Sequence, residues 1–156
     1  MGWIEPVILI PWGVQFKAKL DSGAKTSSIH AKQVERFEKD GEPWVRFVIP
    51  VESKRKKRTG KMQVERPLVR DVRIKRHKTS SYARPVVSLE FCMNGQDYVT
   101  QFNLIDRSGF NYPVLLGRRF LKDVAVIDPA AVFLSDRAGG DCRKRYPDKW
   151  AKKKKS

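Results

Sequence analysis

The stretch KLDSGAKTSS, Lys19 to Ser28, stands where an alternating strand breaks off. Val14, Phe16, Ala18 and Leu20 are apolar while Gln15, Lys17 and Lys19 are polar, the period of a strand with one buried face. Asp21 then sets a carboxylate at the end of that strand, followed by Ser22, Gly23 and Ala24. A carboxylate that reacts at ordinary pH needs a tight turn to present it to a cleft. It also needs a neighbouring hydroxyl to hydrogen-bond it and a glycine that lets the backbone approach closely. Asp-Ser-Gly-Ala supplies all three. The same residue types also make ordinary turns, so the tetrapeptide by itself leaves both readings open.

Outward from this point, short strand-like runs dominate. Val7 to Ile10 ends at Pro11, and Trp44 to Val51 alternates Val45, Phe47 and Ile49 against Arg46 and Pro50. Val86 to Cys92 and Tyr98 to Ile105 flank Asn94-Gly95, a dipeptide that takes positive φ readily and predicts a tight hairpin. Val114 to Leu116, Val124 to Ile127 and Val132 to Leu134 are further apolar runs, and Arg118 to Lys122 can form a helical turn or two. Ala31 to Asp40 reads as a loop or short helical turn. An all-β barrel or sandwich of many short strands with little helix is the fold these runs predict.

The net charge of +16 on 156 residues is not spread evenly. Residues 54–84 hold 13 Lys/Arg against Glu65 and Asp71, and residues 143–155 hold 8 against Asp148. Such segments attract polyanions, whether nucleic acid, acidic peptide or a membrane surface, or they are simply solvated charge runs. "SKRKKRTGK" is too charged to pack, and a basic loop leading into an exposed strand or hairpin is expected there. From Ala138 onward strand periodicity is lost, so residues 138–156 are expected to be a basic, poorly ordered tail behind a β domain of residues 1–137. Cys92 and Cys142 do not make a disulfide framework, and with His30 and His77 they show no zinc spacing; a surface or hydrogen-bonded role is expected of each histidine. No apolar run approaches the ~18 residues of a membrane span and no charged leader precedes an apolar stretch, so a soluble, cytoplasmic protein is the expectation.

A second element gives the Asp21 turn its meaning. "YPVLLGRRFL", Tyr112 to Leu121, runs Val114, Leu115 and Leu116 straight into Gly117, then a basic pair and a helical turn, about 90 residues after Asp21. A D-[ST]-G-A turn followed at that distance by an apolar strand ending in Gly-Arg resembles the retropepsin pattern of aspartic peptidases. "AKLDSGAKTSSIHA", "WVRFVIP", "RPVV", "LLGRRFL" and "VIDPAAVFL" are similar to the bacterial retropepsin-like family labelled ATP-dependent zinc proteases, over about Trp3 to Leu134. The chain contains no G-x-x-x-x-G-K-[ST] loop and no H-E-x-x-H, so neither a cofactor nor a metal is expected.

The resemblance implies a closed all-β retropepsin-like barrel with one short helix. Asp21 would be the catalytic residue, supported by Ser22, Gly23, Ala24, Leu116, Gly117 and Arg118. The viral enzymes carry an acidic residue after D-[ST]-G-A that pairs with the Gly-Arg arginine. Here Lys25 stands there, so Arg118 must find another partner or face solvent. Lys25 and Thr26 would lie beside the cleft, where Lys25 either offers charge to an acidic substrate or is a solvated turn lysine. The flap of retropepsins corresponds to residues 54–84, which makes Lys54, Arg55, Lys56, Lys57 and Arg58 candidates for substrate binding.

Peptide hydrolysis of this kind uses two carboxylates that share one proton, and the chain shows one D-[ST]-G. Asp106-Arg107-Ser108-Gly109 has an extra residue between acid and hydroxyl and reads as a turn. An isologous homodimer bringing Asp21 of each subunit to the axis meets the need; in a working monomer Asp106 or Asp128 would have to serve. Relatives in the resembled family are associated with glutamate-ligase systems that tag ribosomal protein tails, which suggests acidic, oligoglutamate-tailed peptides as substrates. The competing reading is a non-catalytic basic β-barrel that grips RNA or ribosome, although Tyr82 is the sole aromatic residue within 54–84, thin for base stacking. No membrane partner is expected.

Overall fold

A computed structural model describes residues 1–53, 58–76, 80–106, 108–109, 111–124, 127–134 and 140–149. The chain divides into two compact units, residues 1–28, 89–100 and 110–156 in the first, 29–88 and 101–109 in the second.

In the first unit β1 (Gly2–Ile10) is central. It pairs antiparallel with β2 (Val14–Asp21), from Ile4 opposite Lys19 to Leu9 opposite Val14. It also pairs with the far end of β8 (Ser80–Met93) and runs parallel to β11 (Asp128–Val132). β1 is buried from Ile4 to Leu9, so it reads as a continuous apolar run rather than an alternation. Its one charged member, Glu5, is fully buried, and its Oε2 accepts the N–H groups of Gly2 at 2.7 Å and Leu134 at 3.0 Å. β10 (Val114–Gly117) lies parallel to β2, and α1 (Arg118–Leu121) follows it directly. Phe91, Tyr98 and Phe120 pack as a ring cluster, centroids 5.2–5.7 Å apart.

In the second unit β4 (Lys32–Lys39), β5 (Glu42–Ser53) and β6 (Arg58–Pro67) form an antiparallel three-stranded sheet. Val45, Phe47, Ile49 and Val51 of β5 and Met62 and Val64 of β6 are its buried face. β7 (Arg70–Arg76) pairs antiparallel with the first half of β8. β3 (Ser27–His30), β8 and β9 (Gln96–Ile105) run through both units. The larger sheet has the order β11-β1-β2-β10-β3-β9-β8-β7, and the further β1–β8 pairing closes six of these strands on themselves. The expected all-β closed barrel is therefore present, and Asn94 (φ 52°) and Gly95 (φ 78°) make the expected hairpin turn between β8 and β9.

Four expectations are corrected. Ala31 to Asp40 is no loop: β4 is a strand whose residues face opposite charges and rings on β5, Glu35 against Arg46, Lys39 against Glu42 and Phe37 against Trp44. The basic segment 54–84 forms the expected strands, but β6 is not exposed on both faces, because Met62 and Val64 bury one of them; residues 54–57, the place of the expected basic loop, and 77–79, His77 among them, lie outside the described residues. Cys92 and Cys142, 50 residues apart, form a disulfide with 5.6 Å between their Cα atoms. Within the supposed tail, residues 140–149 include a second short helix, α2 (Gly140–Arg145). It is held by that disulfide, by Arg143 Nη1 donating to the Gly13 carbonyl at 2.6 Å, and by Arg145 Nη2 donating to the Gly95 carbonyl at 2.6 Å.

Candidate active site

Strand period places the site. Phe16, Ala18 and Leu20 of β2 point into the core, so Lys17, Lys19 and Asp21 share the opposite face. The strand ends at Asp21 because a tight turn begins there: the Ala24 N–H donates to the Asp21 carbonyl at 3.1 Å, and the Gly23 N–H donates to Asp21 Oδ1 at 3.0 Å. A Cβ on Gly23 would sit 3.2 Å from that same oxygen, closer than most side chains tolerate. The bond to the carboxylate thus comes from the glycine backbone; Ser22 is exposed. The other oxygen, Oδ2, lies 3.8 Å from Lys19 Nζ, and the Asp21 side chain remains 32% exposed.

β10 carries the second element to the first. In the parallel pair Val114 faces Ala18, Leu116 faces Leu20 and Gly117 faces Asp21. The Gly117 N–H donates to the buried Ser27 hydroxyl at 3.1 Å, the Arg118 N–H to the Ala24 carbonyl at 2.6 Å and the Arg119 N–H to the Lys25 carbonyl at 3.1 Å. Three successive N–H groups thus tie down the loop that leaves Asp21. Gly117 is extended, so its conformation suits any residue; its need is space, since a Cβ would lie 2.4 Å from the Thr26 carbonyl oxygen. Leu116 is fully buried beneath, and Lys25 and Arg118 are exposed. Arg118 makes no ion pair with another described residue, so of the two expected alternatives it faces solvent.

The structure therefore gathers Asp21, Ser22, Gly23, Ala24, Lys25 and Thr26 with Leu116, Gly117 and Arg118. Lys54, Arg55, Lys56 and Lys57 lie outside the described residues, and Arg58 opens β6 opposite Ser53. Sequence reasoning missed Lys19 and Ser27. Lys19 was legible in principle, since it stands two residues before Asp21 and shares its strand face; nothing local marks the Ser27 hydroxyl as the acceptor for Gly117.

Neither alternative acid is bonded to Asp21. Asp106 Oδ1 accepts the Ser108 hydroxyl and the Ser108 N–H at 2.9 Å, and His30 Nδ1 is 3.7 Å away, the geometry of a turn. The Ser108 hydroxyl, and after it the Ser108 N–H, hold the Asp106 carboxyl below the usual carboxylate range. Asp128 Oδ1 accepts the Ala130 N–H at 2.9 Å. Among the described residues no group of three or more His, Cys, Asp or Glu is placed to hold a metal ion, and no helix is long and apolar enough to cross a membrane.

Comparison with known proteins gives these features a family. The model of the RimB-like family, described as retropepsin-like aspartic endopeptidase RimB, matches residues 1–138. A "Probable alpha-L-glutamate ligase" from Shewanella pealeana is 33% identical over 139 residues, covering 88% of this chain and 30% of that protein. A protein of the same name from Desulfotalea psychrophila is 37% identical over 114 residues, 73% of this chain and 24% of that one. The chain thus spans less than a third of the length of these curated relatives. Among solved structures, the Legionella pneumophila protein Lpg0085, of unknown function (DUF785), superposes with a TM-score of 0.71 at 33% identity, covering 86% of this chain and 96% of that one. The chain belongs to the RimB-like family of retropepsin-like proteins.

Proposed function

We propose that this protein hydrolyses peptide bonds as an aspartic-type peptidase, working as a homodimer in which Asp21 of each subunit faces a common two-fold axis. The observation that carries the reading is the Asp21 turn braced by Gly117: a carboxylate at a strand end, with one oxygen fixed by the Gly23 N–H and the side chain a third open to solvent. No other described carboxylate is bonded to Asp21, which favours a partner from another copy.

In that arrangement the two carboxylates share one proton. The ionised one takes a proton from water, whose oxygen attacks the scissile carbonyl carbon. The protonated one donates to the carbonyl oxygen. Collapse of the tetrahedral intermediate breaks the C–N bond, the amine leaves with a proton, and the hydroxyl of the water remains on the new carboxyl group. Neither a metal nor a nucleotide takes part.

Acidic peptides, oligoglutamate tails among them, are the substrates this reading favours. The net charge of +16 attracts them and speeds encounter. The relatives named for glutamate ligation share a region like this chain over about a quarter to a third of their length, which associates it with glutamate chemistry. The ligase name belongs to those longer proteins. The test is incubation with an oligoglutamate-tailed peptide, without added metal or nucleotide, read by mass spectrometry. Wild type should shorten the tail and Asp21→Asn should not, because the near-isosteric amide can neither hold the shared proton nor take one from water. Equal cleavage by the two would remove Asp21 from the mechanism.

A further inference from the structure

We propose that Lys19 is a specificity-determining residue of this site, its ammonium group receiving the side-chain carboxylate of an acidic residue beside the scissile bond. The inference rests on the peptidase reading above and adds to it a named group on the protein.

Lys19 is held close to the reacting carboxylate by backbone geometry. It is fixed between Ile4 of β1 and Leu115 of β10, and it stands two residues before Asp21 on the same face of β2. Its Nζ lies 3.8 Å from Asp21 Oδ2, beyond hydrogen-bond distance, with 40% of the lysine side chain exposed. A merely positioning cation would be expected to bond the carboxylate. That task is already met on Oδ1 by the Gly23 N–H at 3.0 Å. A loose, exposed pair of this kind contributes little, so the ammonium can turn to a second carboxylate at little cost.

The charge count of the dimeric site points the same way. Two Lys19 ammonium groups would face an Asp21 pair that, while sharing one proton, carries a single negative charge. One positive charge is left over beside the scissile bond, and an acidic side chain cancels it where a neutral one does not. Lys17 provides an internal control. It has the same charge and the same strand face, but its ammonium lies over the Phe133 ring, 6.0 Å from the centroid.

The experiment compares two fluorogenic peptides that differ only in having Glu or Gln on both sides of the cleaved bond. Wild type, Lys19→Met, Lys19→Arg, Lys17→Met and Asp21→Asn are assayed, each first checked by near-UV circular dichroism. Lys19→Met should lower kcat/KM for the Glu peptide about tenfold more than for the Gln peptide, chiefly through KM, and Lys19→Arg should restore the preference. Lys17→Met should leave the preference as in wild type. Equal losses on both peptides, or no loss on either, overturn the assignment of Lys19. If Lys19→Met fails the folding check, Lys19→Gln is read by the same criteria. Asp21→Asn separates the two possible failures. If it still cleaves, the peptidase reading falls and Lys19 with it; if it is inactive while Lys19→Met loses rate equally on both peptides or on neither, only Lys19 falls. Wild type that cuts neither peptide overturns both.

Discussion

Gly117 and Asp21, 96 positions apart, are direct register partners in the parallel β2–β10 pair. A Cβ at 117 would meet the Thr26 carbonyl oxygen at 2.4 Å and the Thr26 carbonyl carbon at 2.5 Å, backbone atoms that no rotamer change can move aside. Gly117→Ala should therefore push the 22–27 loop away and break the bonds from the Gly117 and Arg118 N–H groups. Overpacking of this kind costs about 1–3 kcal/mol. We expect a matching fall in stability by urea titration and a loss of peptidase activity larger than the loss of folded protein. Unchanged stability and activity would mean that the close approach is not needed.

The proposed dimeric site makes a stoichiometric prediction. When equal amounts of wild type and Asp21→Asn exchange subunits freely, half the wild-type chains enter mixed dimers, and activity per wild-type chain should fall to about half. Native mass spectrometry establishes that mixed dimers have formed. Undiminished activity in their presence would rule out a site built from both chains.

The strand–turn of Asp21 and the apolar run into Gly117 were legible because each is local: a period of two, a turn tetrapeptide, a glycine after three apolar residues. The contact between them was not, since the Ser27 hydroxyl and Thr26 carbonyl meet Gly117 only through the fold. β4 escaped for a different reason. KQVERFEK is exposed almost throughout, with only Phe37 half-buried, so it has no apolar period to read. Its partnership with β5 is signalled instead by Asp40-Gly41 (φ 53° and 79°), the same kind of hairpin turn as Asn94-Gly95. α2 escaped because what secures it is remote: Cys92, Gly13 and Gly95 each lie 45 or more residues away along the chain.

That remote anchoring can be measured. The Cys92–Cys142 bond closes a long loop between β8 and α2, and Tyr146, just beyond the helix, donates its hydroxyl to Asp97. A cross-link over such a separation stabilises by about 2–4 kcal/mol. The double variant Cys92→Ser/Cys142→Ser should be less stable by that amount in urea, and a reductant should lower wild type toward it while leaving the variant unchanged. Equal midpoints for both proteins under non-reducing conditions would show that α2 is held without the bond.

A pH-dependent prediction attaches to Asp106. Its carboxyl is held below the usual range first by the Ser108 hydroxyl and then by the Ser108 N–H. With the folded value below the unfolded one, its contribution to stability is fully present above the unfolded value and is lost as pH falls through the folded one. Ser108→Ala removes the larger of the two bonds. A carbon-13 carboxyl titration by NMR should show Asp106 moving up toward the ordinary carboxylate range. The stability difference between wild type and variant should shrink as the solution is acidified. An unmoved titration would take the hydroxyl out of the account.

The basic segment can be tested through its charge alone, which separates substrate steering from a grip on RNA. Replacing Lys54, Arg55, Lys56, Lys57 and Arg58 with serine removes five positive charges and leaves Lys19, Asp21 and Gly117 untouched. If these charges guide acidic peptides, kcat/KM for a glutamate-rich peptide should fall and lose much of its salt dependence, because a screened field acts over only about 8–10 Å at physiological ionic strength. A neutral peptide should change little. If the charges instead bind phosphates, peptide cleavage should survive while RNA affinity drops, with a shallower slope of log K against log salt. Both quantities are measured on the same variant. Equal losses of rate on neutral and acidic peptides would sink the steering idea, since a missing field discriminates by charge and a distorted structure does not.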